Sequence, residues 1–182
     1  MEKTKNKTFW KVAVIGLKLL LICAVIAGIV SFVYDLTLKK YEQNIQETKN
    51  KAIGQIFGEE GLDCKEVATG VYTVKKNDEL IGYCVEAAGK GFGGDIQLMV
   101  GYTADQKIKA VEIIGHSETP GVGDKVKNPD YLANYTGQSG ELTLGADVDK
   151  IAGASVSSRG VMAGVNAATK ALQAYLAEGG AQ

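Results

Sequence analysis

Three hydroxyl side chains fall within four residues in the stretch DKIAGASVSSRG, residues 149–160. Ser155 follows the small residues Ala152, Gly153 and Ala154, and Ser157 and Ser158 open a segment of helical periodicity. A helix start offers unpaired N–H groups and the positive end of a dipole, which suits a phosphate. Small neighbours leave room for a bulky group on Ser155 and for an enzyme to reach its hydroxyl. Serines ahead of a helix are also common N-caps, so the stretch reads two ways: plain caps, or a phosphate site with Ser155 as the attachment point. A second stretch, GHSETPGVGDKV over residues 115–126, holds the only histidine, His116, with Glu118, Thr119, Pro120, Gly121 and Gly123. A neutral imidazole suits either a turn contact or a bound group. Glu118 divides in the same way between backbone partner and ligand neighbour, and the proline and glycines shape a loop.

Other chemistries find little support. One histidine and scattered carboxylates make a poor metal set. No GxSxG elbow surrounds a serine. No Walker loop is present, and GKGFGG at residues 89–94 is followed by no helical pattern that would make it a phosphate loop. Cys23, Cys64 and Cys84 show no CxxC spacing, which argues against a zinc or iron–sulfur site; they are expected as free, packed thiols, the alternative being a Cys64–Cys84 pair if the domain faces an oxidising side. The net charge of -1 hides an asymmetry. Residues 1–34 carry five lysines and one glutamate, or +4, leaving -5 on the remainder. An acidic domain has no electrostatic footprint for nucleic acid.

The elements that must position these residues begin with an anchor. Val12–Tyr34, VAVIGLKLLLICAVIAGIVSFVY, carries a single charge, Lys18, near its N-terminal end, where a lysine snorkels to headgroups. As a helix it is roughly 34 Å long at about 1.5 Å per residue, enough for a hydrocarbon core of about 30 Å. The apolar run is too long for a cleaved signal, and no small-residue cleavage site follows it. Lys3, Lys5, Lys7 and Lys11 precede the span, so the positive-inside rule puts the N-terminus in the cytoplasm. The expected organisation is a tail over 1–11, a transmembrane helix over 12–34, a helical stalk over 35–57 and an extracytoplasmic domain over 58–182.

Within that domain, a glycine- and acid-rich break is expected at Gly58–Gly61. Val71–Val74 and Leu80–Glu86 alternate and form one hairpin; Ile96–Tyr102 and Ile108–Ile114 form another. Their alternation predicts a half-buried antiparallel sheet. Thr119 is extended before its proline, and Pro120-Gly121 suits the centre of a type II turn. Asn128–Tyr135 is a short helix, Glu141–Leu144 a further strand, and Ser157–Glu178 an amphipathic helix. Strands followed by a packing helix imply an α+β domain.

The stretch 149–160 resembles the flavin-attachment motif of the Rnf G subunits, which the C subunit of the sodium-translocating NADH:quinone reductase shares. That motif runs D-x-x-S/T-G-A-T. Asp149, Gly153 and Ala154 match it, Ala152 replaces the usual Ser/Thr, and Ser155 stands where the modified threonine does. A serine hydroxyl accepts the same phosphoester. GHSETPGVGDKV is similar to the family's H-x-E-T-P-G-x-G stretch, and GKGFGGDIQLMVGY resembles its G-Y/F-G-G-x-I segment ahead of a strand. The three occur in the family's order after one N-terminal span, so the resemblance covers essentially the whole chain.

The resemblance implies an FMN-binding domain that a flavin transferase modifies, using FAD and magnesium to esterify FMN onto Ser155 with release of AMP. Gly153, Ala154, Ser157, Ser158, His116, Glu118, Thr119, Pro120, Gly121 and Gly123 are then the residues expected around the covalent cofactor. It implies an electron-carrying subunit, not a complete enzyme, of a membrane ferredoxin:NAD+ oxidoreductase coupled to sodium or proton transport. Partners would be the other membrane subunits, especially the D subunit with a similar flavin. Alternatives are an FMN-binding domain of another extracytoplasmic reductase, and a flavin-free anchored binding module in which Ser155 belongs to a cap.

Overall fold

The computed structural model describes residues 2–59 and 61–180, less the side chains of residues 2–9, 11–13, 35, 36, 39 and 41–43. Glu60, within the break expected at Gly58–Gly61, lies outside the described residues. The chain divides into two units, Met1–Gln46 and Glu47–Gln182. The helix α1 runs over Glu2–Phe57. Inside the first unit, Val14–Tyr34 has a mean hydropathy of 2.6 and none of it is buried. At 21 residues it is long and apolar enough to cross a membrane.

The second unit is an α+β fold. Five strands, β1 (Asp63–Ala68), β2 (Val71–Lys76), β3 (Glu79–Lys90), β4 (Asp95–Thr103) and β5 (Ile108–Gly115), form one sheet in the order β1-β2-β3-β4-β5. Every pairing is antiparallel, so the sheet is a meander. Both expected hairpins are present. β1 is not among the expected strands: its sequence DCKEVA lacks clean alternation and it is an exposed edge strand. After β5 come a 3-10 turn at Gly123–Lys127, the short helix α2 (Pro129–Leu132), a second 3-10 turn at Ala133–Tyr135 and the final helix α3 (Ser155–Ala177).

The expectation of a half-buried sheet does not hold, because both faces are covered. Successive side chains of a strand point to opposite faces, and here they join two separate cores. Val85, Leu98, Val100 and Tyr102 pack with Val161, Val165, Ala168 and Leu172 of α3. Cys84, Met99, Tyr72 and Val74 pack with Ala52, Ile53, Ile56 and Phe57. The last turns of the stretch expected as a stalk are therefore core. Lys49 reinforces them, with Nζ 2.6 Å from a Glu86 carboxylate oxygen and 3.4 Å from the Tyr72 hydroxyl.

Helix α3 lies very close to the sheet. A Cβ on Gly89 would collide with the carbonyl of Gly160, and one on Gly160 would press on Lys90. Only glycine at both places lets backbone meet backbone. The contact sets the start of α3 beside the β3–β4 loop.

The strand expected at Glu141–Leu144 is absent; a lone bridge joins Leu144 to Val148. The Asn166 side chain takes the place of a neighbouring strand. It accepts from the N–H of Leu142 at 2.9 Å and donates to its carbonyl at 2.8 Å. Cys64 and Cys84 are free, the latter fully buried. They sit on β1 and β3 with β2 between them. At about 4.8 Å per strand, their Cα atoms are roughly 10 Å apart, beyond the reach of a disulfide at about 7 Å.

Candidate functional site

Three loops meet at one end of the sheet. Residues 91–94 turn β3 into β4, and the N–H of Gly91 donates to the carbonyl of Gly94 at 2.9 Å. Residues 116–122 leave β5 at that same end, since Gly115 pairs with Gln97 near the start of β4. Residues 149–154 lead into α3. A cleft of about 360 Å³ lies between them, lined by Phe92, Glu118, Thr119, Val122, Gly123, Gly153, Ala154, Ser155, Val156 and Ser157.

Two β-turns shape its walls. In the first, the N–H of Val122 donates to the Thr119 carbonyl at 3.2 Å, and Gly121 has φ +76°. That is the expected type II turn, with proline at its second position and glycine at its third. In the second, the N–H of Ala154 donates to the Ile151 carbonyl at 3.0 Å, and Gly153 has φ +81°. This turn delivers the chain into α3 with Ala154 as N-cap and Ser155 as the first helical residue.

The serines are not caps. No side chain caps α3, and its first turn carries no acidic residue. Ser157 donates its hydroxyl to Glu118 Oε2. The Ser158 hydroxyl accepts from the N–H of Ile151 at 3.1 Å. Ser157 and Ser158 are 2% and 0% exposed, whereas Ser155 is exposed. Of the three hydroxyls, only that of Ser155 is open to a modifying enzyme. Because Ala154 has no side-chain oxygen to spend on the helix start, the first N–H groups of α3 stay open to an anion. The rim is apolar: Phe92 is 78% exposed, Val122 48% and Val156 42%. Open donors beside an exposed hydroxyl, with apolar side chains around them, fit a phosphorylated ligand that carries a planar apolar body.

The structure thus brings Glu118, Thr119, Gly123, Gly153, Ala154, Ser155 and Ser157 to one cleft. His116, Pro120, Gly121 and Ser158 do not line it. His116 is half-buried and its Nδ1 accepts from the N–H of Glu118 at 3.1 Å, a contact that orders the loop. Asp149 is exposed beyond the cleft. Phe92, Val122 and Val156 are lining residues that motif reading did not single out. All three lie inside the stretches that carry the resemblance, and for Phe92 an aromatic between glycines was the available signal.

Residues 91–170 match the FMN-binding domain family. Over 94% of its length the chain is 27% identical to the G subunit of the Na(+)-translocating ferredoxin:NAD(+) oxidoreductase complex of Acetobacterium woodii, covering 97% of that protein. It is 30% identical to the G subunit of the proton-translocating ferredoxin:NAD(+) oxidoreductase complex of Clostridium ljungdahlii, across 57% of this chain and 60% of that one. The crystal structure of Shewanella oneidensis NqrC aligns with a TM-score of 0.47 at 29% identity, covering 53% of this chain and 52% of that one.

Proposed function

We propose that this chain is the electron-carrying G subunit of an Rnf-type, ion-translocating ferredoxin:NAD+ oxidoreductase, with FMN joined to Ser155 by a phosphoester. The observation that carries the reading is the state of the three serines: two are buried and committed, and the exposed one opens an uncapped helix. Bound FMN supplies one-electron relay between partner cofactors. The residues of this chain hold and shield it. Ser155 Oγ would carry the phosphoester, the first N–H groups of α3 would face the phosphate, and Phe92, Val122 and Val156 would offer apolar contact. A covalent tether suits a site on an extracytoplasmic surface, where a lost cofactor is not recovered.

Val14–Tyr34 is the anchor in this reading. The lysine excess ahead of it keeps the N-terminus in the cytoplasm, with residues 47–182 outside. Partners are the other membrane subunits of the complex, the D subunit foremost, and a flavin transferase for maturation. The chain alone is not a complete enzyme.

The test is in-gel flavin fluorescence of the denatured chain from native membranes, beside Ser155→Ala. Fluorescence is expected in the parent and absent in the variant. A dark parent made beside a working transferase rules out the covalent flavin, and a fluorescent variant moves the attachment elsewhere. Co-purification with other membrane subunits separates the Rnf reading from a stand-alone flavoprotein.

A further inference from the structure

Glu118 is 5% exposed, unusual for a carboxylate. Its Oε1 accepts from the N–H of Gly93 at 2.9 Å and its Oε2 from the hydroxyl of Ser157. Its own N–H donates to His116. Among the described residues no lysine or arginine forms an ion pair with it. The surroundings are cut to its shape: a Cβ on Gly91 would strike Oε1, and one on Gly123 would strike Oε2 and Ser157 Oγ. Burying a carboxylate on two neutral donors, without a cation, is costly. Here it joins two loops and the first turn of α3 at one point, with partners 25 and 39 residues away in the chain.

We infer that Glu118 is the positioning residue that makes Ser155 the modified hydroxyl, by clasping Ser157 inward and the 91–94 loop against it. This rests on the proposed attachment of FMN at Ser155. The geometry of a helix gives the reason. Residues advance about 100° each at 3.6 per turn, so Ser155 and Ser157 lie roughly 200° apart about the axis: both line the cleft, Ser157 buried against Glu118 and Ser155 exposed. Fixing the Ser157 hydroxyl on a buried carboxylate sets the rotation of the first turn, and that rotation presents Ser155 to the cleft. The same bond occupies the Ser157 proton, so the neighbouring hydroxyl does not compete. In the transfer itself, Ser155 Oγ attacks the FMN phosphorus of FAD. The pyrophosphate P–O bond breaks, AMP leaves with the bridging oxygen, and the hydroxyl proton passes to the transferase or to water.

Aspartate is one methylene short of both partners. Glutamine accepts from the Gly93 N–H and donates its NH2 to the Ser157 oxygen, so it keeps both contacts with one polarity reversed, whereas alanine removes both.

The test is the initial rate of covalent labelling of the full chain by a flavin transferase with FAD and magnesium, with the labelled residue located by mass spectrometry. Glu118→Ala and Ser157→Ala are each expected to slow labelling by about 10-fold to 100-fold, the scale of a 1 Å misplacement, while Glu118→Gln, which keeps a bond to each partner, keeps most of the rate. The double variant is expected to be no slower than the worse single one, because both act through one contact. Ser157→Thr keeps the hydroxyl and restores most of the rate. Leu172→Ala weakens the α3 core far from the cleft and serves as the control for lost stability; it keeps the parental rate wherever the domain is folded. Parental rates in Glu118→Ala and Ser157→Ala, multiplicative losses in the double variant, or an equal loss in Leu172→Ala would each overturn the positioning role. A parent that takes no label at all fails the attachment reading itself, and this inference with it.

Discussion

Ala154 occupies the position where a helix ordinarily places a serine, threonine or aspartate. Leaving that place to a methyl group keeps the helix start open, and the turn before it depends on the left-handed backbone of Gly153. Gly153→Ala meets no steric obstacle in space, yet an L-residue at φ +81° costs about 1–2 kcal/mol. Urea unfolding should show that loss, together with slower labelling of Ser155. Ser158→Ala is expected to cost about 1–3 kcal/mol, because it strands the N–H of Ile151 beside a buried helix turn. Phe92 behaves oppositely. It is too exposed to support the fold, so Phe92→Ala should change stability by less than about 0.5 kcal/mol. A shift of the visible flavin band in the labelled Phe92→Ala variant would show that the ring rests on this side chain, and an unchanged band would show that it does not.

At the level of elements, α3 and the end of α1 hold the sheet from its two sides. Lys49 is the polar part of the second contact. Partial burial alone would push its ammonium down, but Glu86 and Tyr72 outweigh this and hold its pKa above the ordinary 10.5. A raised lysine pKa stabilises the fold wherever the group is charged in both states, and the contribution fades as pH climbs through the folded value. Lys49→Met should therefore cost about 1–2 kcal/mol at neutral pH, discounted for the part-exposed Glu86. The gap between variant and parent should stay constant to about pH 10 and shrink above 10.5. Chemical denaturation at a series of pH values checks both points; a gap that widens with alkalinity contradicts the ion pair.

For the molecule as a whole, the boundary between the units falls within α1, at Gln46 and Glu47. Ile53, Ile56 and Phe57 are nearly fully buried. At about 1.5–3 kcal/mol each, they contribute roughly as much as the entire net stability of a domain, about 5–15 kcal/mol. A fragment from Glu47 to Gln182 is expected to fold cooperatively by circular dichroism. A fragment beginning at Gly58 is expected to be unfolded or molten. If the shorter fragment matches the longer one in urea midpoint, the α1 turns are a linker after all.

Much of this was legible in the chain itself. The apolar run, both hairpins, the Pro-Gly turn and the last helix follow from local periodicity and turn chemistry, which act over a few residues and leave their mark in order. The serine cluster at the start of the last helix was legible for the same reason. What needed the tertiary structure were the contacts between distant segments. Alternation along β2, β3 and β4 shows that the two faces differ, but not that the end of α1 covers the second one. DCKEVA forms an edge strand only because β2 lies beside it, and the 141–144 stretch is held by an asparagine side chain in place of a strand. Composition could say that Ser155, Ser157 and Ser158 were three similar hydroxyls. Which one is open shows only in the fold, where Ser157 bonds a glutamate 39 residues before it and Ser158 the N–H of Ile151, since burial and hydrogen bonding belong to the folded neighbourhood and not to the residue.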